Sequence, residues 1–168
     1  MSWGMSEELV SPQLPAVGLV AELSKEDRDL LSSYGEFHFG SPDDQLITQG
    51  QSHGKLFFVV SGLLHAVRHE EDREELLGVI RQGEWMGEVD LFDAGSAMCS
   101  VVAIESTQYW AITREDFNDF LKNYPEAGLQ IVTGVAVTLG KRLRGVTRRL
   151  MEESEMATVR ASLMSGAG

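Results

Sequence analysis

Gly83-Glu84-Trp85-Met86-Gly87-Glu88-Val89-Asp90-Leu91-Phe92 places a glycine turn directly before a short run that mixes apolar and acidic residues. A helix opening at such a turn leaves its first backbone N–H groups without intrahelical partners, and together with the helix dipole these make a natural seat for an anion. The residues that would supply it are Gly87, Glu88, Val89, Asp90 and Leu91.

On both sides of this stretch the pattern is that of short strands. Residues 36–39, 45–48, 55–61, 63–69, 75–80, 99–105 and 108–112 are rich in Val, Ile, Phe or Leu, and glycines at 40, 50, 54, 62 and 83 punctuate them. Ahead of the strands, Ser24-Lys25-Glu26-Asp27 reads as a capped helix start and predicts a helix over 24–34. After them, Thr113-Arg114-Glu115-Asp116 opens a second short helix that Tyr124-Pro125 interrupts. Pro125 suits the first turn of a long final helix reaching about residue 153.

The chain has 168 residues, 43% of them hydrophobic, which is enough to bury one core. No apolar run is long enough for a membrane span, and Met1 to Glu8 lack the pattern of a signal peptide, so a cytoplasmic protein is expected. A lone cysteine, Cys99, leaves no internal disulfide and no four-cysteine metal site. Residues 1–123 hold 22 acids against 8 bases, and the remainder 4 against 6. A net charge of -12 argues against direct DNA binding, which depends on neutralising phosphates; a basic partner, or solubility alone, fits it.

Gln49-Gly50, Leu56-Phe57-Phe58-Val59-Val60-Ser61-Gly62, the Gly83–Glu88 block and Trp110-Ala111-Ile112-Thr113-Arg114-Glu115-Asp116-Phe117 occur in an order and spacing that resemble the cyclic nucleotide-binding domain family, which includes catabolite-activator-type regulators. The resemblance covers roughly residues 19–152. It implies an α+β fold: a β-roll, also described as jelly-roll-like or a double-stranded β-helix, with a short N-terminal helix, a cassette helix and a long C-terminal helix. It also implies a division into an N-terminal extension (1–18), the domain with its dimerisation helix (19–153) and a flexible tail (154–168). Such regulators append a helix-turn-helix domain, for which about 15 residues after the helix leave no room. An output through a protein partner or a dimer rearrangement is therefore expected.

The resemblance implies cAMP or cGMP as ligand, with Glu88 accepting from the ribose 2'-hydroxyl. An ionised carboxylate suits that task, although Glu88 equally favours a helix N-terminus. The family's phosphate-binding arginine falls on Ala97 or Met98, neither of which neutralises a phosphate. Losing such a bond costs on the order of 1.5–3 kcal/mol, or roughly tenfold to a hundredfold in affinity. The next family position, a serine or threonine, becomes Cys99, expected to be an ordinary buried residue, or Ser100, which could still donate.

Leu129, Val132, Ala136, Leu139, Leu143, Val146 and Leu150 step by three and four, a heptad seam over about 32 Å of helix. It predicts a homodimer through the final helix, as the family implies, or packing on the domain itself. On a neighbouring stripe lie Ile131, Val135, Arg142 and Arg149. Arg142 or Arg149 is a candidate replacement for the missing cation; a solvated basic helix end is the other reading. Three glycines in this helix, Gly134, Gly140 and Gly145, cost about 1 kcal/mol each. Nothing resembles a nucleophile elbow or a P-loop, so no enzymatic activity is expected. His65 and His69 lack a third metal ligand.

Overall fold

The computed structural model describes residues 12–165 and divides after Ile131 into two compact units. The first holds α1 (Lys25–Ser33), eight strands, α2 (Glu88–Phe92), α3 (Arg114–Asn123) and the start of α4 (Pro125–Ser165). A 3-10 turn, Gly18–Val20, precedes α1. The strands are β1 (Glu36–Gly40), β2 (Gln45–Ile47), β3 (Lys55–Ser61), β4 (Leu63–Glu70), β5 (Arg73–Arg81), β6 (Trp85–Met86), β7 (Ser100–Ala103) and β8 (Thr107–Thr113).

They form two four-stranded antiparallel sheets with orders β1-β8-β3-β6 and β2-β7-β4-β5. Consecutive strands therefore change sheets at every step except the β4–β5 hairpin, as in a β-roll. At Gly62 the chain passes from β3 to β4 with φ +104°, and a Cβ there would fall 2.4 Å from Thr107 Oγ1. Between the sheets, Phe57, Val59, Met86 and Ala111 of one meet Ile47, Leu64, Ile80, Val101 and Ala103 of the other in one buried cluster. Alternation sends the neighbouring residues to the opposite face of the first sheet. There Trp85 lies edge-on to both Phe58 and Trp110, and Trp110 Nε1 donates to Ser32 O at the end of α1.

Helix starts follow their side-chain chemistry. Ser24 Oγ accepts from Asp27 N–H to cap α1, and Thr113 Oγ1 does the same from Asp116 N–H for α3. The seven expected strands all form, with ends shifted by at most two residues. The eighth, β6, comprises only Trp85 and Met86, paired with Phe58 and Phe57, and is too short to show a period.

The final helix departs from expectation. α4 runs 41 residues to Ser165, so residues 154–165 are helical rather than a flexible tail; the expected end of that tail, 166–168, lies outside the described residues. No proline or glycine falls between Leu150 and Ser165, and Glu, Met, Ala, Arg and Leu sustain a helix. In the second unit the heptad seam faces solvent in the single chain, with Leu143 68% and Leu150 60% exposed. Burying such a residue is worth about 1.5–3 kcal/mol, and a two-fold pair buries each twice. If the seam joins two copies, Leu143→Glu weakens self-association at least about a hundredfold in sedimentation equilibrium while the circular dichroism spectrum is unchanged.

Candidate functional site

The cassette is built around Gly87, which caps α2 with φ +84°. A Cβ at this position would lie 2.6 Å from Lys55 O and 2.7 Å from the His53 ring, so backbone from β3 and its preceding loop closes directly over it. The turn delivers Glu88 into a buried position, 4% exposed, at the first residue of α2. The helix is one short turn: Leu91 N–H donates to Gly87 O at 3.1 Å and Asp93 N–H to Val89 O at 2.8 Å.

Asp90 is also 4% exposed, and its carboxylate gathers donors from two loops. Oδ2 accepts from Gly54 N–H at 2.6 Å and His53 N–H at 2.8 Å, and Oδ1 accepts from Gly95 N–H at 3.1 Å. Ser52 Oγ lies 3.2 and 3.3 Å from the two oxygens. The Gly54 N–H and the other amides, acting against the cost of burial, hold this carboxyl well below the usual carboxylate range. His53 Nδ1 is 3.5 Å from Oδ2 but accepts from Lys55 N–H at 3.2 Å, and burial lowers its pKa against the pull of Asp90. The imidazole is therefore neutral near pH 7, with its proton on Nε2. Arg114 donates through Nη2 to the backbone carbonyl of Asp90 rather than to its carboxylate.

Ala97 and the β2–β3 loop bond reciprocally: Gly50 N–H donates to Ala97 O at 2.8 Å and Ala97 N–H to Gln51 O at 2.9 Å. Ser100 is buried, and its Oγ accepts from Gln49 N–H at 3.0 Å, so its oxygen ties the same loop to β7. Cys99 is half-buried rather than buried. Met98 is 77% exposed, and Phe92 is 49% exposed with its ring edge-on to Phe117. Neither plugs the roll; Trp85 is buried, but on the opposite face of the sheet from the roll's interior. Gly87, Glu88, Val89, Asp90, Leu91 and Ala97–Ser100 thus lie in α2, its cap and the loop leading to β7, in the first unit. Arg142 and Arg149 belong to α4 in the second unit, where both are exposed.

Sequence reasoning missed Ser52, His53, Gly54 and Arg114, and it read Asp90 only as a backbone donor. The available signal was a Ser-His-Gly turn ahead of an apolar strand, with a second acid inside the cassette helix.

A family model described as the cyclic nucleotide-binding domain matches residues 39–124. The chain belongs to this family. It is 31% identical over 123 residues to the cyclic AMP receptor protein of Thermus thermophilus, a match covering 73% of this chain and 55% of that protein. The crystal structure of the catabolite activator protein of the same organism superposes with a TM-score of 0.71 at 29% identity, covering 81% of this chain and 62% of the other. The fold is shared with the regulatory subunit of a cAMP-independent protein kinase A from Trypanosoma brucei, at a TM-score of 0.66, 16% identity and coverage of 82% and 48%. That structure is of a mutant with glutamate-to-alanine, threonine-to-arginine and valine-to-alanine changes, bound to cAMP in its A site. The chain spans about half the length of the curated cyclic AMP receptor it matches.

Asp90→Ala leaves three amides without their acceptor and should cost about 2–4 kcal/mol in urea unfolding at pH 7. Because the folded pKa is depressed, the ionised carboxylate's contribution is complete well above the ordinary value of 3.8 and is lost as pH falls below it. The stability gap between wild type and variant should therefore be constant from pH 7 to about 5 and narrow towards pH 2.

Proposed function

We propose that this domain is a non-enzymatic regulatory sensor whose cassette takes a small ligand and passes its occupancy to a protein partner, or through rearrangement of a homodimer joined by the α4 seam. The ligand is cAMP or cGMP held without the usual cation, or a different small molecule. The observation that carries this reading is the intact entrance to α2: a left-handed Gly87 in a cradle with no room for a side chain, followed by a buried Glu88, with Met98 turned outward. Glu88, acceptor-only when ionised, suits a ligand hydroxyl.

The absent cation shapes the ligand question. Ala97 and Met98, standing where the resemblance places the cation, support an atypical ligand over ordinary cyclic nucleotide binding. Arg142 and Arg149 stay in the proposal as substitute cations, as bases on one stripe of α4.

The alternative, a ligand-independent dimeric scaffold on a degenerate cassette, draws on Ala97 and Met98 standing where a cation is needed. Calorimetric titration with cAMP, cGMP, cyclic dinucleotides and adenosine separates the two. The sensor reading expects saturable heat from at least one compound, lost at least tenfold in affinity in Glu88→Ala; no heat from any of them supports the scaffold. Where binding is seen, an unchanged affinity in both Arg142→Ala and Arg149→Ala removes the arginines from the site.

A further inference from the structure

We infer that Asp90 is a built-in anion of the cassette, held from within the chain by loop donors at 52–54 and 95, and so selects against ligands that bring negative charge to α2. The selectivity half of this inference rests on the proposed ligand-binding role; the internal-anion half does not.

Three backbone N–H groups and a hydroxyl from two separate loops converge on this one carboxylate. Convergence of amides on a point is how a chain holds an anion without a cation, the arrangement of backbone nests. Here the anion is covalently part of the helix it fixes. Among the described residues no cationic side chain bonds its oxygens near pH 7: His53, 3.5 Å away, is neutral there, and the guanidinium of Arg114 goes to the carbonyl instead. The negative charge is thus stabilised by hydrogen bonds but not cancelled. Asp90 itself stands three residues after the Gly87 cap, within the first turn of α2. A phosphate about 5 Å away would be repelled by roughly a hundredfold in affinity at an effective dielectric near 20. The missing arginine and the added aspartate act in the same direction. Glu88, as an acceptor, meanwhile favours a hydroxyl-bearing ligand over an anionic one.

The test has two arms on the full chain. In the first, Asp90→Ala and wild type are melted in about 100 mM sodium formate against sodium chloride of equal strength. Formate should refill the vacated amides and raise the variant's Tm by about 3 °C more than the wild type's, as a dissociation constant near 10 mM would give. Asp90→Ser serves in the same way if the alanine variant does not fold. In the second arm, Ala97→Arg and the double variant Asp90→Ala/Ala97→Arg are titrated with cAMP and with adenosine. The double variant should bind cAMP at least tenfold more tightly than Ala97→Arg alone, with adenosine gaining less than threefold. Equal formate shifts in variant and wild type overturn the internal anion. No gain in cAMP affinity from single to double variant overturns the selectivity. A wild type that binds none of the titrated compounds counts against the proposed sensor role yet leaves the formate result standing, so the two failures are distinguishable.

Discussion

Around the carboxylate of Asp90 the cassette is held to the rest of the roll. Its oxygens fix the end of the β2–β3 loop through His53 and Gly54 and the α2–β7 loop through Gly95, while its carbonyl receives Arg114 from the start of α3. One residue on a single turn of helix thereby sets the position of three segments that are far apart in sequence. A five-residue helix has no stability of its own, since nucleation is costly and so few bonds repay it. α2 exists because its surroundings fix it, and Asp90 with Gly87 supplies most of that fixing: one by drawing loops in, the other by letting β3 come close.

The same logic explains which parts of the molecule were legible in the sequence. Strands β3, β4 and β8 carry runs of apolar residues buried on the roll, and local period and glycine punctuation sufficed to place them. Ser24 and Thr113 announced their helices because a cap bonds only three residues away. Asp90 gave no such signal. Apart from Gly95 its partners lie 36 to 38 residues upstream, and an isolated aspartate inside an acidic stretch looks like a solvated helix-start residue. Long-range polar contacts carry no periodicity, so they become visible only when the fold brings the loops together.

The end of α4 was misjudged for a related reason. Judged by the heptad seam, the helix loses its purpose at Glu153, where an acid takes the next core position. Helix propensity nevertheless continues, and the backbone follows propensity as far as Ser165. Beyond the seam the exposed Met156, Val159 and Leu163 lie on a different stripe from Leu143, Val146 and Leu150. The pattern that specifies pairing and the composition that sustains a helix are therefore separable in this chain, and they end at different residues.

A sensor must bind its ligand better in one conformation than in another, and the cassette limits where that difference can arise. In many binding sites the ligand itself draws loops together, so that closure and occupancy are one event. Here the loops at 52–54 and 95 are already drawn to Asp90, and Ala97 is already paired with Gly50 and Gln51. Occupancy has little loop closure left to perform. Any differential contact must come from groups that this network leaves loose. Near the cassette in sequence these include the exposed apolar side chains Val89 and Phe92 of α2 and Met98 of the loop after it, an apolar rim in composition. Covering or uncovering that rim changes free energy through apolar area, which at about 25 cal/mol per Å² needs only some 40–120 Å² to supply the roughly 1–3 kcal/mol typical of allosteric coupling. A charge-poor ligand signalling through apolar burial is consistent with a cassette that has lost its cation and keeps its own anion.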